Sequence, residues 1–318
     1  MNLTMKETAA KLKAAEKILV TAHIHPDGDA IGSTLSMWLA LRQLGKSAQI
    51  YLDDVVPSNL LFLPHIDAIK RPTADEMFDA DLLVVLDTSA DRIGRVVAMT
   101  DAPILNIDHH VTNSNKDDND LYLEHDAAAT CEIMLALCHE LGVEVTKEIA
   151  TCIYTGIATD TGFFNYSCTT SKTFHAAAEL VDFGVEPNFI SEQIEKRTLN
   201  DVKVMSAALQ TMQIYFDGKV AGMFIDAEIE KMADTTEGLV DLIRVIDTVE
   251  IAFILRYQDE KTCRVSLRSK GIDVSKIAKS IGGGGHIRAA GCTLHTNFED
   301  AKNILLKTLG NYFKACTA

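Results

Sequence analysis

The sequence predicts an α/β protein built on a doubly wound parallel sheet, with a second, smaller α/β domain across a cleft. Short apolar runs without alternation, typical of buried parallel strands, recur along the first half, and helical patterns separate them. Beyond about residue 210 the pattern changes to paired β-like stretches with turn signals between them. Strands that alternate with helices are typical of open parallel sheets.

The predicted elements of the first half follow one another as strand and helix. The opening residues 1–17 have the pattern of an amphipathic helix, and strands are predicted at 17–23, 47–52, 80–87 and 102–108. Helices are predicted at 30–44, 127–141, 146–158 and 171–183. Gly45 ends the first of these, as glycine commonly does at a helix C-terminus.

The change of pattern sets the predicted domain boundaries. We place the first domain at 1–187, a helical linker at 188–211 and the second domain at 212–318. The second domain opens with the stretch 213–225, where Asp217 and Gly218 form a hairpin turn signal. A β-like stretch at 250–269, a glycine run and a final helix complete it. This is a usual domain size.

Composition limits the class of protein. The chain has 318 residues, of which 47% are hydrophobic, enough for two ordinary domains. It has no apolar run long enough for a membrane helix and no signal-peptide pattern. Its seven cysteines form no C-x-x-C pair, which argues against a disulfide framework or a zinc knuckle. We expect a cytoplasmic protein without a membrane partner, and the sequence leaves homodimerisation open.

The charge is unevenly distributed. The formal net charge of −15 disfavours binding of a long polyanion. Between Lys261 and Arg288, however, the chain carries seven Lys or Arg residues and one Asp. A run of charged residues usually forms a solvent-exposed face of a helix. This one also suits a patch that receives a small phosphorylated ligand.

Acidic and histidine side chains recur just past the apolar runs. They lie in "HIHPDGDA" (23–30), at the end of "LLVVLD" (82–87), in "DHH" (108–110) and in "GIATDTGFF" (156–164). Ligands bind at the carboxyl ends of the strands in open parallel sheets. We therefore expect the first three groups to converge at one edge, with Asp160 joining them from a helix.

Converging carboxylates need a compensating charge. At 4 Å and an effective dielectric of 20, each pair would repel by about 4 kcal/mol. Two divalent cations would balance four carboxylates, and two neutral imidazoles would add ligands without adding charge. The candidate metal ligands are His23, Asp27, Asp29, Asp87, His109 and Asp160.

Mixed oxygen and nitrogen ligation favours manganese. Ca²⁺ prefers oxygen alone and structural Zn²⁺ prefers thiolate, whereas Mn²⁺ accepts both carboxylate and imidazole. We expect two Mn²⁺ per chain, about 3.5–4 Å apart, the arrangement with which phosphoryl hydrolases activate water.

Four motifs of the first domain resemble those of the DHH phosphoesterase family and occur in the same order: "HPDGDAIGS", "VVLDTS", "IDHH" and "GIATDTGFF". The downstream stretch "SLRSKGIDVSKIAKSIGGGGHIRAAGC" resembles the DHHA1 substrate-binding domain. Together the two resemblances cover nearly the whole chain. The members that it resembles most are of the nanoRNase and pAp phosphatase type.

The resemblance implies how the ligands are shared. It assigns one Mn²⁺ to His23, Asp27 and Asp87, and the other to Asp29, Asp87, His109 and Asp160, so that Asp87 bridges. It places His110 opposite the scissile phosphate, as an electrostatic stabiliser or proton donor to the leaving oxygen. It makes Asp108 the acceptor that orients an imidazole, in a catalytic supporting role.

The glycine run of the second domain predicts a phosphate pocket. In "GGGGH" (282–286), Gly284 and Gly285 let backbone amides approach an anion, beside His286. Ser266 and Arg268 lie upstream, and the arginine fork matches phosphate oxygens. A flexible turn before a helix is the alternative for glycines alone.

The sequence thus predicts a Mn²⁺-dependent phosphoesterase that uses two metal ions to activate water. Its substrates would be short single-stranded RNA or DNA oligonucleotides and 3′-phosphoadenosine 5′-phosphate (pAp). An enzyme specific for linear or cyclic dinucleotides is the alternative within the same class. A catalytically silent nucleotide-binding module is the alternative from another class. An inorganic pyrophosphatase would share the first domain's motifs without "GGGGH".

Overall fold

The computed structural model describes residues 2–73, 76–113, 119–233, 236, 238–285 and 287–317, without the side chains of 314–317. The chain forms two compact units, Met1–Lys196 and Arg197–Ala318. The predicted domain and linker boundaries, at 187/188 and 211/212, stay a prediction.

The first unit is built on a parallel sheet. Its strands are β1 Lys17–Thr21, β2 Ser47–Tyr51, β3 Ile69–Lys70, β4 Leu82–Leu86, β5 Ile104–Asp108 and β6 Asp120–Leu123. They lie in the order β3-β2-β1-β4-β5-β6, and all neighbours are parallel. The order reverses between β1 and β4, the point at which open α/β sheets bind ligands. The predicted α/β fold class with a doubly wound sheet is confirmed. Strands β3 and β6 are additional to the predicted ones, and both are too short to give a clear apolar run.

The two faces of this sheet are covered differently. Helices α1 Met5–Ala14, α2 Gly28–Gln43, α3 Thr130–Leu141, α4 Lys147–Asp160, α5 Ser171–Asp182 and α6 Pro187–Glu195 belong to this unit. Ile18 and Val20 point to the helical face and join the main core, together with residues of α2, α3 and α4. Leu19 points to the other face, where a smaller core is closed by the 3₁₀ segment Gly94–Met99.

Helix α2 approaches α4 closely through glycine. A Cβ built on Gly32 would lie 2.4 Å from the carbonyl oxygen of Cys152, and one on Gly28 would lie 2.3 Å from Thr159 Oγ1. The helix is buried along most of its length. These glycines let α2, whose N-cap is Asp27, pack directly against α4.

We expect Gly32→Ala to lower the free energy of unfolding by about 2 kcal/mol, because the new methyl group meets a backbone carbonyl that cannot turn away. Urea denaturation of the variant measures this effect. Lys6→Ala on the exposed face of α1 is the control and should change stability little. Equal stability of the two variants would contradict the close helix contact.

The second unit is a mixed sheet with helices. Its strands are β7 Gln213–Tyr215, β8 Val220–Ile225, β9 Ile251–Asp259, β10 Thr262–Ser269, β11 Gly284–Gly285 and β12 Ala289–Leu294, in the order β11-β12-β10-β9-β8-β7. Only β8 and β9 pair in parallel. Helices α7 Leu199–Gln210, α8 Ala227–Met232, α9 Leu239–Arg244, α10 Val274–Ser280 and α11 Phe298–Thr317 complete the unit. This unit is α/β and smaller than the first, as predicted. Across both units, the described helices include none with the length and apolarity to cross a bilayer.

Candidate metal centre

The candidate site lies where strands β1, β4 and β5 of the first unit end. Asp27 is the N-cap of α2, and its Oδ1 accepts the N–H groups of Asp29 and Ala30 at 3.1 Å each. Asp87 directly follows β4 and has a left-handed backbone, with φ 61°, which is uncommon outside glycine. The strand ends and the helix start therefore bring these side chains to one edge of the sheet.

One group of potential ligands consists of His23, Asp27 and Asp87. His23 Nε2 lies 3.8 Å from Asp27 Oδ1 and 3.4 Å from Asp87 Oδ2. One ligand atom from each residue falls within 4.8 Å of those of the others, so the three could share one cation.

A second group consists of Asp29, His109 and Asp160. His109 Nε2 lies 3.9 Å from Asp29 Oδ2 and 3.4 Å from Asp160 Oδ2. It also lies 3.5 Å from Oδ1 of Asp87, whose other oxygen faces His23. The Asp87 carboxylate thus stands between the two groups. The structure brings together all six residues predicted as ligands, while their binding of metal stays a prediction.

The two imidazoles are oriented as metal ligands usually are. His109 Nδ1 lies 3.2 Å from the carbonyl oxygen of Ala127, and His23 Nδ1 lies 2.8 Å from that of Ile24. A carbonyl only accepts, so each Nδ1 carries the proton and each Nε2 presents a lone pair to the carboxylates. His109 Nε2 is buried without a hydrogen-bond partner in the described part of the chain. A buried polar atom of this kind is costly unless something binds it, and a cation fits.

The electrostatics of the site also favour bound cations. Burial, followed by the charges of Asp29 and Asp27, raises the pKa of Asp87 well above its ordinary value. Burial and the charges of Asp29 and Asp87 do the same to the pKa of Asp160. The carboxylates therefore destabilise one another when ionised, and divalent cations would relieve that repulsion.

His110 is held by a buried carboxylate. Its Nδ1 lies 2.7 Å from Asp108 Oδ1, and this hydrogen bond is the main reason that the pKa of His110 is raised. Asp108 is fully buried and also accepts the N–H groups of His109 and His110 and the amide of Asn113. Burial opposes ionisation of Asp108, but these hydrogen bonds outweigh it and lower its pKa.

His110 also has the reach of a ligand. Its Nδ1 lies 3.7 Å from Asp87 Oδ1, and Asp87, His109 and His110 form a third group with ligand atoms within 4.8 Å of one another. Because Nδ1 is engaged by Asp108 at a shorter distance, Nε2 is the nitrogen left for a substrate.

Sequence reasoning missed the start of helix α3. The N–H of Thr130 donates to Asp29 Oδ2 at 2.6 Å, and that of Cys131 donates to Asp29 Oδ1 at 2.8 Å. The Thr130 hydroxyl donates to Asp87 Oδ1 at 3.1 Å. A helix N-terminus stabilises negative charge, so it fixes the Asp29 carboxylate. Thr130 lies inside the helix predicted at 127–141, and nothing in the local sequence points from it to Asp29.

The residues predicted for phosphate binding lie in the second unit. Ser266 and Arg268 line a cavity of about 510 Å³ on one face of its sheet. Gly284 and Gly285 form strand β11, which pairs with β12. His286 lies outside the described residues. The binding roles of these residues stay a prediction.

Comparison with protein families agrees with the motifs. Residues 17–157 match the model of the DHH family, N-terminal domain, and residues 217–315 match the model of the DHHA1 domain. A parallel sheet that gathers carboxylates and imidazoles at its switch point is typical of a metal-dependent hydrolase. The chain belongs to the DHH family of phosphoesterases, in its DHHA1-containing branch.

Named relatives span nearly the whole chain. The bifunctional oligoribonuclease and PAP phosphatase NrnA of Thermus thermophilus is 36% identical over 295 residues, 91% of this chain and 88% of the relative. The protein of the same name from Bacillus subtilis is 28% identical over 92% of this chain and 95% of the relative. The crystal structure of an exopolyphosphatase-related protein from Bacteroides fragilis superposes with a TM-score of 0.90 at 26% identity, over 99% of this chain and 98% of that one.

Proposed function

We propose that this phosphoric ester hydrolase is a Mn²⁺-dependent enzyme that cleaves short oligonucleotides and pAp with two metal ions per chain. Membership of the family supports phosphoester hydrolysis, and the names of its relatives support both substrate classes. The observation that carries the two-metal proposal is the Asp87 carboxylate, whose two oxygens face two separate groups of potential ligands.

The ligand sets follow from these groups. His23, Asp27 and Asp87 would hold one ion, and Asp29, Asp87, His109 and Asp160 would hold the other. When bound, such ions activate water and absorb charge that develops on phosphoryl oxygens. Two N–H groups at the N-terminus of α3 hold the Asp29 carboxylate in place, which preserves the second set.

His110 is suited to act on the substrate itself. Its Nδ1 proton is directed to Asp108, so its Nε2 is free to donate a proton to the leaving oxygen or a hydrogen bond to the phosphoryl group. The raised pKa of His110 keeps a larger fraction of the imidazole protonated near neutral pH. Asp108 acts through His110 and is a positioning residue.

The second unit would hold another phosphate of the substrate. Ser266 and Arg268 offer a hydroxyl and a guanidinium in one cavity, and the glycines of β11 carry no side chain that would keep an anion from their backbone. The whole chain has a formal net charge of −15 even with this basic region included, so phosphates far from the cavity would meet acidic surface, which disfavours long duplexes.

A panel of substrates tests the function. With Mn²⁺ present, we expect turnover of pAp and of RNA two to five nucleotides long, released phosphate and mononucleotides being measured by chromatography. Strong preference for cyclic di-AMP or the linear dinucleotide pApA would favour the dinucleotide-specific alternative. Hydrolysis of pyrophosphate alone would favour a pyrophosphatase. Binding without turnover of any substrate would favour the silent module.

Two further properties stay predictions. A cytoplasmic location is supported by the six described cysteines, all of which are unpaired. For homodimerisation we propose no particular surface as the interface.

A further inference from the structure

Three arginines line the cavity of the second unit, and two of them have no role in the proposed phosphate pocket. Arg256, Arg264 and Arg268 share it with Ser266 and Thr293. In the sheet register, Arg264 of β10 stands opposite Arg256 of β9 and opposite Thr293 of β12. All five side chains therefore lie on the same face of the sheet.

The charges on this face are only partly compensated. Arg256 pairs with Glu230 through two hydrogen bonds, Nε to Oε2 at 2.7 Å and Nη2 to Oε1 at 2.5 Å. Like charges directly opposite each other on neighbouring strands destabilise a sheet. Glu230 offsets one of the two charges, whereas Arg264 is exposed and forms no ion pair with any residue that the structure describes. An anion at Arg264 would compensate the second charge.

The spacing along β10 matches a nucleotide chain. Alternate residues of a strand share a face and lie about 6.8 Å apart, two rises of about 3.4 Å. Arg264, Ser266 and Arg268 thus form a ladder of polar side chains on the cavity wall. Successive phosphates of an extended nucleotide strand are separated by a comparable distance. Gly291, opposite Ser266, adds no side chain that would cover the ladder.

We propose that Arg264, together with Thr293, forms a second anion subsite, which receives the phosphate next to the one held by Ser266 and Arg268. This inference rests on the proposed function and deepens it. It makes Arg264 a determinant of chain length: only substrates with two phosphates on the same side of the scissile bond reach it. Arg256 lines the same cavity, but its guanidinium is held by Glu230, so we assign the anion to Arg264.

The test compares Arg264→Gln with wild type on pAp and on 5′-phosphorylated oligoadenylates of two, three and four nucleotides. We expect the ratio of kcat/KM for the tetranucleotide to that for pAp to fall about tenfold, the loss of one charge-assisted contact. Because the series extends to four nucleotides, it includes a substrate with two phosphates on one side whichever end is attacked. In Arg264→Lys this ratio should fall less, because lysine keeps the positive charge although it lacks the forked hydrogen-bond donors of the guanidinium. Lys307→Gln removes an equal charge from an exposed position of α11 and is the control.

Binding of the same oligonucleotides in EDTA, measured by calorimetry, gives a readout without hydrolysis. The dissociation constant of Arg264→Gln should rise about tenfold more for the tetranucleotide than for pAp. If Arg264→Gln lost affinity equally for every substrate, or for none, the proposed subsite would be wrong. Absent turnover with Mn²⁺ but length-dependent binding would defeat the proposed function and leave the subsite standing.

Discussion

Replacing Asp87 by asparagine is expected to reduce kcat by about a thousandfold or more on every substrate that the wild-type protein hydrolyses. The change keeps the volume of the side chain but removes the charge that both ligand groups share. Oδ2 of Asp87 faces His23 and Oδ1 faces His109, so one substitution weakens both proposed metal sites.

Metal content should fall with activity. Elemental analysis of the dialysed variant should find fewer than two Mn per chain. The fold should persist, because burial of an ionised Asp87 among Asp29 and Asp27 is unfavourable and its removal relieves repulsion in the metal-free protein. We expect the metal-free variant to melt no lower than metal-free wild type.

Asp81→Asn is the matched control for this experiment. Asp81 precedes β4 as Asp87 follows it, and its carboxylate accepts the N–H groups of Glu16 and Lys17 at the other end of the strand. The same chemical change there should leave kcat and metal content near wild type. Full activity in Asp87→Asn, or an equal loss in Asp81→Asn, would rule out a bridging role for Asp87.

The sheet edge was predictable because it depends on local patterns. Apolar runs that end at Asp87 and at Asp108 identify buried parallel strands, and topology then brings their carboxyl ends together. Asp160 was harder to place, since it ends helix α4 rather than a strand. Its proximity to His109 depends on the close packing of α4 on α2, which only the glycine contacts of the folded protein reveal.

Features that arise from long-range contacts were not predictable. The two N–H groups at the start of α3 reach Asp29 from about a hundred positions away in the chain. Nothing in the local sequence relates the two segments. The same applies to Arg264. In the sequence it is one residue of a basic run, and only the strand register shows that it lies opposite Arg256. Its pairing pattern, rather than its charge, distinguishes it from the neighbouring lysines.

Removing the metal ions should make the stability of the protein fall as the pH rises from 5 to 8. The pKa values of Asp87 and Asp160 are raised by burial and by neighbouring carboxylates. A carboxyl with a raised pKa stabilises the fold below its ordinary pKa of about 4, and that contribution is lost as the pH rises through the raised value. The pKa of His110 is raised as well, so its contribution, present below about 6.5, is lost in the same direction.

The lowered pKa values of Asp27 and Asp108 act outside this range. Their stabilisation is present above about pH 4 and is lost only as the pH falls further. Between pH 5 and 8 the raised groups therefore set the slope. We expect the Tm in EDTA to drop by several degrees over this range, since about 1 kcal/mol corresponds to about 2–4 °C in a chain segment of this size.

Added Mn²⁺ should reverse the trend. Carboxylates and neutral imidazoles bind metal only when deprotonated, so the increase of Tm on adding Mn²⁺ should be larger at pH 8 than at pH 5. Scanning fluorimetry in EDTA and in Mn²⁺ across the pH range measures both slopes. In Asp87→Asn/Asp160→Asn the slope in EDTA should flatten, because two of the titrating groups are gone. Two results together would contradict this prediction: a metal-free protein equally stable at pH 5 and pH 8, and an increase of Tm on adding Mn²⁺ that does not change with pH. They would mean that the clustered carboxylates do not repel one another as their burial and spacing require.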